Sequence, residues 1–186
     1  MSTITVKELA APTGFDLKIA SGETLDLKSQ GTVTMPTGSV VQVVNYQSTS
    51  SATGTTEMPV DNTIPQITEG VEYMTLDITP KNASNILIVE SIFYGGAATI
   101  GHLTSALFVG TTSDALAATS ARIDVANGAI TLPLVYKTTS GTTSTLTFRV
   151  RAGCNNLGTV TFNGFSGGQK FSSAVKSSIT ITEIAG

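Results

Sequence analysis

The chain has 186 residues, with 10 Lys and Arg against 13 Asp and Glu, one His, one Cys and no Trp. Only 12% of its residues are charged and the net charge is -3, so it carries no footprint for a phosphate backbone, and no nucleic acid is expected as a partner. Hydrophobic residues make up 40%, too many for a disordered tract, although 31 Thr and 19 Ser make the hydroxyl its commonest polar group.

Met1 to Glu8 lacks a basic start followed by an apolar stretch, and no window approaches the roughly 20 continuous apolar residues of a membrane span. Neither a secretory leader nor membrane insertion is expected. Residues 1–38 differ in texture from the rest. Phe15-Asp16-Leu17-Lys18-Ile19 alternates strictly, and Ser21-Gly22-Glu23 turns. Leu25-Asp26-Leu27-Lys28 alternates again, and after Ser29-Gln30-Gly31 the pattern returns in Thr32-Val33-Thr34-Met35. Three strands this short bury too little to stand alone. Phe15, Leu17, Ile19, Leu25, Leu27, Val33 and Met35 are therefore the candidate anchoring residues, packing against other copies of the chain or against another protein. The expected organisation is an anchor or stalk over 1–38 and a head over 39–186.

In the head, Val40 to Tyr46 reads as a strand and 47–56 as a hydroxylic surface loop. Glu57 to Gly70, with Pro59 and Pro65, reads as irregular chain in which Thr63-Ile64-Pro65 suits a short edge pairing. Tyr73 to Thr79 alternates and stops at Pro80. Ile86 to Tyr94 begins with consecutive apolar residues, as a central strand does, and Gly95-Gly96 is expected to break it. Leu103 to Val109 is a further strand, and Thr111 to Thr119 is the one helical-looking patch, capped by a hydroxyl or by Asp114. Ile130 to Tyr136 contains Pro133, which implies an edge or a bulge. Ser144 to Arg151 places Leu146, Phe148 and Val150 on one face and both arginines on the other. Thr159 to Phe165 and Ser177 to Ile184 repeat the period of two. Some eight strands broken by Gly, Asn and Pro predict an all-β fold, an antiparallel β-sandwich with a jelly-roll-like head and a short β-rich stalk. Outward Thr and Ser form a neutral face, which is either the ordinary surface of a β-rich protein or one suited to pack against neighbours without stranding charge.

The chemistry of an enzyme is not legible. His102, in Ile100-Gly101-His102-Leu103, has no partner in view for a hydrolytic triad. Cys154 is alone, which rules out an intrachain disulfide, and it lacks the electropositive or His-paired setting of a reactive thiol. Nothing stands at metal-ligand spacing, and no cofactor is expected. Asp61 with Glu69-Gly70-Val71-Glu72 comes nearest to the carboxylate pair of a glycosidase, and the other acids are dispersed. Binding is better served: Tyr94, His102, Arg122, Tyr136, Asn155 and Phe165 are the candidate binding residues, of types that dominate contact surfaces and loops. Phe148, Phe162 and Tyr73 are in phase with the apolar faces of their strands and read as core.

Three stretches resemble small structural proteins and fibre-tip domains of tailed bacteriophages: TLDLKSQGTVTMPTGSVVQV from Thr24, LTFRVRAG with GTVTFNG between Leu146 and Gly164, and the closing SSITITEI. The resemblance implies a non-catalytic homotrimer on the outer surface of a virion, its N-terminal part intertwined along the threefold axis. A short N-terminal part fits a capsid decoration, cement or head-fibre protein that is bound to the major capsid protein and stabilises the shell. The alternative is a tail-fibre or spike tip, attached to a tail component and binding a host surface glycan or protein.

Overall fold

The computed structural model describes residues 35–186 together with Ser21. The anchoring candidates Phe15, Leu17, Ile19, Leu25, Leu27 and Val33 lie outside the described residues. Met35 is described; it is exposed and precedes the first strand.

Eight long strands build the body Met35–Gly186: β1 (Val40–Ser48), β3 (Val71–Ile78), β4 (Ile86–Ala97), β5 (Gly101–Val109), β6 (Ala117–Ile123), β7 (Ala129–Thr139), β8 (Leu146–Cys154) and β12 (Ser177–Ile184). Four short ones accompany them: β2 (Ala52–Gly54), β9 (Val160–Phe162), β10 (Gly164–Phe165) and β11 (Gly168–Gln169). The long strands pair as one folded ribbon, β1 with β12, β3 with β8, β4 with β7 and β5 with β6, all antiparallel. The ribbon then rolls on itself, so that β12 also pairs with β4 and β8 with β5. Two sheets result: sheet I, β1-β12-β4-β7, and sheet II, β3-β8-β5-β6. This nested order is that of a jelly roll, the all-β sandwich expected from the periodicity. Beyond the end of β12, β9 takes over the edge of β4 at Gly95 to Ala97, and β2 pairs with β9.

The core follows from period two, because each strand turns alternate side chains inward. Leu87, Val89 and Phe93 of β4, Ile179 and Ile181 of β12, and Leu132 and Leu134 of β7 meet Leu103 and Leu107 of β5, Phe148 and Val150 of β8, and Met74 and Ile78 of β3. Each such side chain contributes about 1.5–3 kcal/mol by leaving water. Tyr73 stacks on Phe162 at 5.1 Å and meets Phe93 at 5.6 Å between ring centroids, so the three aromatics form a block within this core. Cys154 is buried in the same cluster as a free thiol.

A second, smaller core lies on the other side of sheet II. Ala106 and Phe108, out of phase with Leu103 and Leu107, pack with Met58, and Ile67 and Ala115 lean on them. The stretch from Glu57 to Gly70 is thus a cover over sheet II. Its pairing falls next to Thr63-Ile64-Pro65, at the bridge Gln66–Asp114.

Three local expectations change. Thr111 to Thr119 is not helical: a turn leads directly into β6, because Ala117 and Ala121 face the core at strand spacing. Gly95-Gly96 does not end β4, which runs through to Ala97. A Cβ on Gly96 would stand 2.6 Å from Cβ of Phe165 and 2.7 Å from the carbonyl oxygen of Gly128, so the glycine is there for closeness. The loop 47–56 contains β2, a three-residue pairing that hydroxylic residues tolerate at an edge.

Candidate functional site

The two sheets differ in what lies outside them. Sheet II is covered in part by Glu57 to Gly70, and its outward arginines are occupied. Arg149 donates to both carboxylate oxygens of Glu72, at 2.9 and 3.1 Å, and to the carbonyl of Gly110. Arg151 donates to the carbonyls of Glu69 and Gly70 and lies 3.6 Å from Glu72. The carboxylates once grouped as a candidate pair are therefore structural. Glu72 holds two arginines, Glu69 accepts from the Gln66 N–H, and Asp61 accepts from the Thr63 N–H and hydroxyl. Those bonds from Thr63 hold the Asp61 carboxyl below its ordinary value.

Sheet I has no such cover among the described residues. Its register lines up the outward side chains in rows: Val40, Ile184, Ile86 and Thr139; Val43, Thr182, Ile88 and Lys137; Asn45, Thr180, Glu90 and Val135; Gln47, Ser178, Ile92 and Pro133. Glu90 and Lys137 are the charged members. Val40, Val43, Ile92 and Val135 are 45–65% exposed. The result is a mostly apolar and hydroxylic surface carried by four hydrogen-bonded strands. Periodicity hinted at it, since β4 and β7 carry apolar residues in both phases.

The six residues singled out for binding fall in four places. His102 and Arg122 are register partners on β5 and β6, and Asn155 joins them. The Asn155 side-chain oxygen accepts the His102 N–H at 2.7 Å, and the Asn155 N–H donates to the His102 carbonyl. Arg122 is paired with Asp124 at 2.6 Å on the open surface. This group sits at the end of the sandwich away from Met35, beside the exposed Ile100, Val125 and Leu157. Tyr94 lies on the outer side of sheet I, its N–H donating to the Ser177 hydroxyl. Phe165, in the β10–β11 hairpin, is covered by the Lys170 ammonium 4.7 Å from its ring centroid. Tyr136 points the other way and lines a cavity of about 190 Å³ between the sheets, with Val109, Leu116, Thr138, Ser140, Leu146 and Phe148. Among the described residues no group of three or more His, Cys, Asp or Glu is placed to hold a metal ion.

One polar cluster escaped the sequence reading. Glu183 is turned inward from β12 and fully buried. Its carboxylate accepts from Asn85 Nδ2 at 2.6 Å, Gln42 Nε2 at 2.5 Å and the Lys81 N–H at 2.8 Å, with the Asn82 N–H at 3.4 Å. Burial alone pushes its pKa up, but these donors together outweigh it and hold the carboxyl below its ordinary value. The cluster ties β1, the turn after β3 and β12 together. In SSITITEI the glutamate occupies a core position by phase, the one signal that marked it.

No family model matches the sequence, and no curated protein is significantly similar to it. Among solved structures, the chain is similar to one in the structure of the infectious bursal disease virus Gx strain, at 9% identity and a TM-score of 0.38 over 87% of this chain and 40% of that one. It is similar to one in the Gt strain structure at 12% identity and 0.37, over 95% and 46%, and to the infectious bursal disease virus VP2 subviral particle at 9% and 0.33, over 88% and 42%. The match spans less than half of each of those chains, and at such scores it carries over no residue role, partner or activity. It does correct the expected kinship. These structures are of infectious bursal disease virus, not of tailed bacteriophages, and the readings as a phage capsid decoration or head-fibre protein and as a tail-fibre or spike tip are withdrawn. The physical reason is visible in the strands. LTFRVRAG and SSITITEI are the period-two signature of β8 and β12, each with one buried face, and any sandwich strand in that position writes the same pattern.

Proposed function

We propose that the protein is a non-enzymatic structural subunit that works by associating with copies of itself, on the outer surface of a viral particle. The observation that carries this reading is the bare outer face of sheet I. A monomer seldom leaves a contiguous apolar face open, and such faces mark contact surfaces. The fold is compatible with it, since jelly rolls build viral coats as well as lectin and cupin domains, and the choice among these has to come from the surface. A face of mostly Val, Ile, Thr and Ser, with Glu90 and Lys137 as its charges, closes against a neighbour with little charge to desolvate. The homotrimer expected from the sequence is the finer form of this proposal.

The test is the mass of the full chain in solution by sedimentation, with Ile92→Lys and Val135→Lys beside it. Both residues are exposed, so folding is retained, and the charges should shift the protein towards single chains. A wild type that stays a single chain across the accessible concentration range refutes self-association. A mass of about three chains supports the trimer.

A second contact role is favoured by the grouping of His102, Arg122 and Asn155 among the exposed Ile100, Val125 and Leu157. Such a patch suits a host surface glycan or protein. Arg122→Ala should weaken adsorption to cells without altering sedimentation, and unchanged adsorption would remove this role.

A further inference from the structure

Each sheet of the sandwich has two long edge strands, with the three-residue β2 as a further edge beyond β9, and an unprotected edge is a template for another strand. Sheet II ends in β3, which carries Glu72 and Asp77, and in β6, which carries Arg122. Sheet I ends on one side in β7, which carries Pro133 and Lys137. These are the usual guards, charge and proline. The fourth edge, β1, has none. Val40–Ser48 reads VVQVVNYQS, nine residues without charge, proline or glycine, and no charged residue occurs between Lys28 and Glu57. Among the described residues no strand pairs with β1 on the side away from β12, and outside that pairing its Ser48 carbonyl accepts from Asn163 Nδ2.

This edge is also held ready. Asn45 Nδ2 donates to the Thr180 hydroxyl at 2.8 Å, and Gln42 Nε2 reaches both Glu183 and the carbonyl of Thr79. Val44 is packed on the core. The strand is therefore fixed from behind along its length, and a strand added in front would meet an ordered ladder and lose little entropy on the protein side.

We infer that β1 is a self-pairing edge, joining antiparallel to β1 of a second copy across a two-fold axis and making one continuous sheet of the two sheets I. Charge selects a second copy as the occupant. A two-fold seam sets each strand against itself, so any charge on it meets its own sign, and β1 is the one long edge strand free of that penalty. Continuity argues likewise. Centred near Val44, the seam brings Val43 of both copies close on the outer side and adds the two bare faces of sheet I into one surface. The inference rests on the self-association proposed above and adds to it a contact at the β1 edge of sheet I, distinct from the outer face.

The experiment uses the full chain and two charge variants at exposed outward positions: Val43→Lys with Gln47→Lys, and Val43→Glu with Gln47→Glu. Sedimentation should show that the mass of the assembled wild type falls by half in each variant alone, whether the seam joins single chains or larger units. The wild-type mass should return when the two variants are mixed in equal amounts. Far-UV circular dichroism and a neutral control, Val43→Thr, verify that the fold and the association survive substitution as such. Variants that keep the wild-type mass overturn the seam while leaving self-association in place. Loss of mass without recovery in the mixture also overturns it, because a cover from within one chain or from a different protein would not read the partner's charge. A wild type that is always a single chain overturns both readings.

Discussion

Single residues in this sandwich matter most where polar groups are enclosed. Glu183 sits at a position whose neighbours along β12 are Ile179 and Ile181, yet it is ionised and saturated with donors. Removing it strands Asn85, Gln42 and the Lys81 N–H, so Glu183→Ala should cost roughly 3 kcal/mol, measurable as a lower urea midpoint. Its pKa lies below the ordinary value of 4.5, so its contribution is complete above that pH and drains away as the pH falls through the lower, folded value. The wild type should accordingly lose more stability than Glu183→Gln on acidification from about pH 5 to pH 3. Equal losses would show that other carboxylates govern acid unfolding. Ser91 presents the opposite case: it is buried on β4 and its hydroxyl has no partner among the described residues. Ser91→Ala should raise stability by about 1 kcal/mol, since it removes a desolvated hydroxyl and no bond. The Tyr73 hydroxyl is similarly unpartnered, and burial pushes its pKa up to about 12.

At the scale of elements, the strands were legible wherever one face is buried and the other wet. Ser144 to Arg151 and Ser177 to Ile184 declare themselves because alternate positions answer to different solvents. β6 was hidden because its inward apolar residues before Ile123 are alanines, Ala117 and Ala121, which carry no apolar signal strong enough to outvote helix propensity. Glycine misled for a related reason: at Gly95 and Gly96 it permits contact with Phe93 and Phe165, where a break was expected. The cover over sheet II was illegible because Met58, Ile67 and Ala115 have no period, and only the tertiary contact with Phe108 gives them a role. That contact can be measured. Met58→Ala should cost about 2–4 kcal/mol through the void left over Phe108. Amide hydrogen exchange should quicken first between Glu57 and Gly70, and a uniform change across both sheets would refute a separate covering unit. The candidate binding residues were legible by type, but not by place. Only His102, Arg122 and Asn155 come together, because β5, β6 and the turn after β8 meet at one end.

For the whole molecule, the balance of forces is set by scarce charge. Association through an apolar and hydroxylic face should respond weakly to sodium chloride, because few exposed ions are there to screen, and should strengthen in sulfate. A dissociation constant that rises steeply with sodium chloride would point instead to the ionic pairs around Arg122 or Lys137.

The nested ribbon also bears on how the protein is made. Of the described strands β12 comes last in the sequence, yet it lies between β1 and β4 in the middle of sheet I. Until it emerges from the ribosome, the strand at Val40–Ser48 has no partner among the described strands and β4 lacks one of its two long partners. The nascent chain therefore carries open ladders and uncovered Val, Ile and Phe throughout synthesis, and sheet I closes only in a late step that joins residues far apart in sequence.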